Sequence, residues 1–140
     1  MATINTYLNF NGNTEDAFNF YKAAFGGDFA VIMRFGDTPG CEEMPETDKN
    51  KIMHIALPIG GNMLMGTDVP ETMEQVKNGT SMSISINTDS EQQTRDLFAK
   101  LSEGGKIQMP LDDMFWGALY GMFTDKFGIQ WMINYEYEKK

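Results

Sequence analysis

An α+β fold of two βαβββ units is what this sequence predicts, and three observations predict it. Two amphipathic helical segments both end in Gly-Gly, strand-like runs follow each of them, and the C-terminal third spaces glycines and aromatics as hairpins do. In the first helical segment Asn13 is placed to cap, Glu15 and Asp16 suit the positive end of the helix, and Ala17, Phe18, Tyr21, Ala24 and Phe25 share one face before Gly26-Gly27. The second opens on Ser90 and Gln93 as a capping pair, buries Thr94, Leu97, Phe98 and Leu101, and stops at Gly104-Gly105.

A short strand precedes each helix, and Asn11, Thr14 and Glu15 of the first unit correspond to Asn87, Ser90 and Glu91 of the second. Strands are expected over 29–35, 51–59 and 62–66 after the first helix, and over 106–110, 118–124 and 129–135 after the second. Alternation assigns the faces. Leu8 and Phe10 oppose Asn5, Tyr7, Asn9 and Asn11, while Ile84 and Ile86 oppose Ser81, Ser83 and Ser85. The apolar faces should meet the helices and the polar faces should line a cleft unless a partner subunit covers them, with Trp131 turned to a helix and Met132 away from it. Asp125 is expected to accept backbone N–H bonds in the turn before Phe127-Gly128. One domain covers 1–140, with a first module over about 1–67, a connection over about 68–79 carrying Pro70 and Asn78-Gly79, and a second module over about 80–136.

The C-terminal run reads W-G-x-x-Y-G-x-x-x-D-x-F-G-x-x-W from Trp116 to Trp131. With Tyr7-Leu8-Asn9-Phe10-Asn11-Gly12-Asn13, Ala17-Phe18-Asn19-Phe20-Tyr21 and Phe25-Gly26-Gly27, it resembles the PhnB-like branch of the vicinal oxygen chelate superfamily, which includes glyoxalase I, bleomycin-resistance proteins and extradiol dioxygenases. The resemblance implies that the two modules form a curved open-barrel sheet around a cleft, with the helices outside. It also implies small-molecule chemistry, commonly in dimers.

Composition excludes several other classes. A net charge of -9 and the absence of a Lys/Arg cluster beside exposed aromatics disfavour nucleic acid and anionic membrane as partners. No apolar run approaches membrane-spanning length and the N-terminus lacks a signal-peptide pattern, so a cytoplasmic protein is expected. The single cysteine, Cys41, lies in a Pro-, Gly- and acid-rich loop and reads as incidental.

Metal-dependent relatives place His and Glu on four strands, and the resemblance maps those positions to Asn5 or Thr6, Leu64 or Met65, Ser83 or Met82, and Met132. None is a histidine or a carboxylate, so no cofactor and no metal site are expected. His54, the only histidine, sits in an apolar strand and reads as a hydrogen-bonded structural residue. The methionines and Trp116 offer polarizable surface, and the polar strand faces offer a few orienting groups. The expected ligand cleft therefore contains Tyr7, Asn9, Met65, Ser83, Ser85, Trp116 and Met132, takes an apolar or aromatic small molecule, and belongs to a homodimer. The rival readings are a metal-dependent glyoxalase- or dioxygenase-type enzyme and a structural or regulatory dimer with a vestigial cleft.

Overall fold

The computed structural model describes residues 2–137, and the chain divides into two compact units, Met1–Lys77 and Asn78–Lys140. The first contains β1 (Thr6–Phe10), α1 (Thr14–Phe25), β2 (Val31–Arg34), α2 (Glu46–Lys49), β3 (Ile52–Ile59) and β4 (Asn62–Asp68). Its strands lie in the order β1-β4-β3-β2, with β1 and β4 parallel and the other pairs antiparallel. The second contains β5 (Ile84–Asn87), α3 (Glu91–Ser102), β6 (Lys106–Met114), β7 (Ala118–Thr124) and β8 (Gln130–Glu136). Its order is β5-β8-β7-β6, again with one parallel pair, β5 with β8. The expected βαβββ unit thus occurs twice with the same sheet topology.

Each unit hides one face of its sheet beneath its long helix. In the first, Ala17, Phe18 and Tyr21 of α1 are buried together with Phe10, Ile55, Leu57 and Leu64. In the second, Leu97, Phe98 and Leu101 of α3 are buried together with Leu119, Phe123, Trp131 and Ile133. A phenylalanine from each helix lies on bare backbone. A Cβ on Gly66 would stand 2.6 Å from Phe18 Cε1, and one on Gly121 would stand 2.7 Å from Phe98 Cε2. Glycine at these strand positions lets helix and sheet approach closely, and any side chain there would displace a core ring.

A buried carboxylate ties each unit together. Asp68, at the end of β4, accepts from the Thr14 N–H at 3.0 Å, the Thr14 hydroxyl at 2.6 Å and the Ile52 N–H at 2.8 Å. Asp125 accepts from the Phe127 N–H at 2.8 Å, the Ile129 N–H at 3.1 Å and the Trp131 indole N–H at 2.8 Å. The turn role expected of Asp125 is therefore observed, and the indole bond extends it into the core.

Two local expectations need correction. Asn13 makes no side-chain capping bond; the α1 N-terminus is satisfied instead by Asp68, a residue distant in sequence. For α3 the local signal is sufficient, since Ser90 accepts from the Gln93 N–H at 3.1 Å and Gln93 reaches back to the Asp89 N–H at 2.9 Å. Strand β6 runs past Pro110 to Met114, because it is an edge strand whose pairing with β7 shifts register between Ile107 and Met109 and again between Met109 and Asp112. A proline without an N–H is tolerated where the ladder is interrupted. Within the loop after β2, the short α2 buries Asp48, which receives Lys51 Nζ at 2.8 Å. An Arg34–Glu15 pair, with contacts of 3.1 and 2.7 Å, joins β2 to α1, and that hydrogen-bonded guanidinium holds the Glu15 carboxyl below its ordinary range.

Candidate functional site

Opposite the helix, each sheet leaves a face open, and strand alternation decides what occupies it. In the first unit, register sets Tyr7 opposite Met65, Met65 opposite Ala56, and Ala56 opposite Val31. The adjacent positions pair Asn9 with Thr67 and His54 with Met33. Tyr7, Asn9 and Met65 thus share the face turned away from the helix, as strand alternation predicts. Leu64 is buried on the helix side, which leaves Met65 as the open-face residue of the two weighed at that strand.

His54 belongs to the same face. Its ring stacks on Tyr7 with centroids 5.7 Å apart and planes inclined by 23°, and its Nδ1 lies 3.0 Å from the Tyr7 hydroxyl. Partial burial pushes the Tyr7 phenol above its ordinary range, with a smaller opposing pull from the Thr67 hydroxyl. The expectation that His54 is hydrogen-bonded is met, but it stands on the open sheet surface and not in the apolar core. Parity carried the signal: Ile55 and Leu57 face the helix, so His54 and Ala56 must face the other way.

The second open face has a related make-up. Ser85 pairs with Met132, Met132 with Met122, and Met122 with Met109, making a run of three methionines across β8, β7 and β6. Beside it, Asn87 pairs with Asn134, Asn134 with Tyr120, and Tyr120 with Asp112. Tyr120 directs its hydroxyl at Met132 Sδ, 3.6 Å away. Ser83 lies just before β5 and is exposed. Trp116 occupies the β6–β7 turn, 53% exposed, with its ring edge-on to Tyr120 at 5.8 Å and to Phe115 at 5.0 Å. Trp131 is buried and bonded to Asp125, so its predicted opposition to Met132 holds. Met122, Tyr120 and Asn134 share this face outside the predicted ligand set, and alternation from Met132 across its neighbouring strands leads to them. Of the acids near the β6–β7 turn, Asp113 accepts the Tyr137 hydroxyl, and this bond pushes the Tyr137 phenol up to about 12.

The positions mapped to the ligands of metal-dependent relatives, Asn5 or Thr6, Met65, Ser83 or Met82, and Met132, carry amide, hydroxyl and thioether groups and no imidazole or carboxylate, the groups that hold such ions. The nearest acid on β4, Asp68, faces the helix with its bonds already committed. Among the described residues, no three His, Cys, Asp or Glu side chains converge as a metal site. No described helix is long and apolar enough to cross a membrane.

The chain as a whole is similar to several known proteins. The crystal structure of PA1353 from Pseudomonas aeruginosa is 41% identical, aligns over 99% of this chain and 100% of its own, and superposes with a TM-score of 0.87. The PhnB protein of Bacillus cereus, described as a putative 3-demethylubiquinone-9 3-methyltransferase, is 26% identical over 96% of this chain and 99% of its own, with a TM-score of 0.79. YjdN of Escherichia coli K12 is 27% identical over 139 residues, spanning 94% of this chain and 93% of YjdN. Together with the sequence pattern of the Glyoxalase/Bleomycin resistance protein/Dioxygenase superfamily, which matches residues 3–133, they establish that this chain belongs to that superfamily and is PhnB-like within it.

Proposed function

We propose that the protein binds a small, uncharged, partly aromatic molecule on its open sheet faces and does so without the superfamily's catalytic metal. The observation that carries this reading is the composition of those faces. Thioethers and aromatic rings, Met65 and Tyr7 in one unit and Met122, Met132, Tyr120 and Trp116 in the other, stand beside the orienting groups Asn9, Ser83 and Ser85. Thioether surface adapts to varied apolar shapes, and the charge of -9 opposes anions at long range.

A mixed compound library read by tryptophan fluorescence and thermal shift tests the proposal. Hits are expected among neutral aryl compounds. For those bound on the second unit, Met132→Glu and Trp116→Ala should each weaken binding about tenfold, the scale of one buried contact near 1.4 kcal/mol. Hits confined to metal-chelating anions, or hits indifferent to both substitutions and to Met65→Glu, would contradict it.

We also propose a homodimer. Strand β2 is an edge strand on which Val31, Ile32 and Met33 are all exposed, so both its faces and its outer backbone call for a cover that a second copy can supply. Light scattering should give twice the 15.8 kDa chain mass, and a monomer at micromolar concentration would refute the assembly.

A further inference from the structure

The face of the second sheet turned away from α3 carries two neighbouring rows of side chains, and the contrast between them points to one class of ligand. One row is apolar: Met132, Met122 and Met109 stand opposite one another on β8, β7 and β6. Two residues along β7 and β8 lies a polar row, in which Asn134 pairs with Tyr120 and Tyr120 with Asp112. Strand geometry sets the rows about 7 Å apart and makes the methionine row about 10 Å wide. A flat bicyclic ring fits that width with one edge at the polar row.

The polar row is biased toward accepting hydrogen bonds. Tyr120 donates its hydroxyl hydrogen to Met132 Sδ at 3.6 Å, a bond whose direction is fixed because a thioether has no hydrogen to give. The phenol oxygen is left as an acceptor. At the next position the Asp112 carboxylate is exposed, and among the described residues it accepts only the Asp113 N–H, at 2.8 Å. Asn134 supplies an amide, which answers donor or acceptor alike. Neither row holds a lysine or arginine to occupy the acceptors.

We propose that this face takes a flat, neutral aromatic ring with N–H donors along one edge, an aryl amine, whose ring lies on the methionines and whose N–H groups meet the Tyr120 oxygen and the Asp112 carboxylate. A ligand with acceptor oxygens alone would set oxygen against oxygen at both positions. The inference rests on the ligand-binding reading above and gives its second-unit face a chemical class.

Calorimetric titration of the full chain at pH 8 with three compounds of one ring system tests it. 2-Aminobenzothiazole carries the donors, 2-methylbenzothiazole replaces them with a methyl group of similar size, and 2-methoxybenzothiazole offers an acceptor oxygen instead. The amine should bind about tenfold more tightly than either, the weight of one hydrogen bond to a charged acceptor. Tyr120→Phe, which keeps the ring, and Asp112→Ala should each reduce that preference about threefold while leaving the affinity for the methyl compound unchanged. Equal affinity for the three compounds, no binding of the amine while other library compounds bind, or a preference that neither substitution alters would overturn the amine assignment and leave the ligand-binding reading standing. If no library compound raises the melting temperature, both fail.

Discussion

Asp68→Ala should remove about 3–5 kcal/mol of stability, a large share of the roughly 5–15 kcal/mol typical of a native domain. The carboxylate satisfies the Thr14 N–H and the Ile52 N–H, both in the interior, and takes the Thr14 hydroxyl as well. Alanine leaves two backbone donors without partners where water cannot replace them, at about 1–3 kcal/mol each, and removes the carboxylate that caps α1. Asp68→Asn should fall between, since its amide oxygen can still accept while its NH₂ meets a donor. Urea unfolding followed by circular dichroism measures the effect, with the exposed Asp112→Ala as a control expected to change stability by less than about 0.5 kcal/mol. A loss under about 1 kcal/mol for Asp68→Ala would show that the carboxylate is not the tie described.

Gly105→Ala is expected to cost about 3 kcal/mol for a different reason. A Cβ built there would lie 2.1 Å from the Thr124 carbonyl oxygen and 2.9 Å from the Asp125 Cα and carbonyl carbon. All three atoms are backbone, so no rotamer change relieves the clash. The turn after α3 would have to move away from the end of β7, and Asp125, which holds Phe127, Ile129 and Trp131, sits at that contact. Gly79→Ala is the control, because its Cβ would meet nothing within 4 Å. Equal melting temperatures for the two variants would contradict the close approach.

What was legible in the sequence was local or periodic. The alternation of Leu8 and Phe10 against Tyr7 and Asn9, and of Trp131 against Met132, predicts which residues face the helices, and the structure bears it out because a two-residue period leaves no choice once one face is buried. Ser90 and Gln93 lie within one turn of each other, so the α3 cap was equally readable. The α1 cap was not. Asp68 reaches Thr14 across 54 positions, and nothing in the Asn13 neighbourhood reveals that a strand end will displace it. Likewise His54 and Tyr7 are 47 residues apart and meet because β1 and β3 both pair with β4, which turns the two side chains to one face. The extension of β6 beyond Pro110 depended on its place at the sheet edge, which the sheet order alone supplies.

Under the proposed function, this PhnB-like chain takes its ligand through thioether, aromatic and hydroxyl groups and not through a metal. This reading is tested most directly by the melting-temperature rise that a library hit produces, measured on the protein as purified, after EDTA treatment, and after adding back one equivalent of manganese, nickel or zinc. The rise should be the same in all three samples, since none of the four mapped ligand positions carries an imidazole or a carboxylate. A rise that disappears with EDTA and returns with one equivalent of a divalent metal would contradict the account.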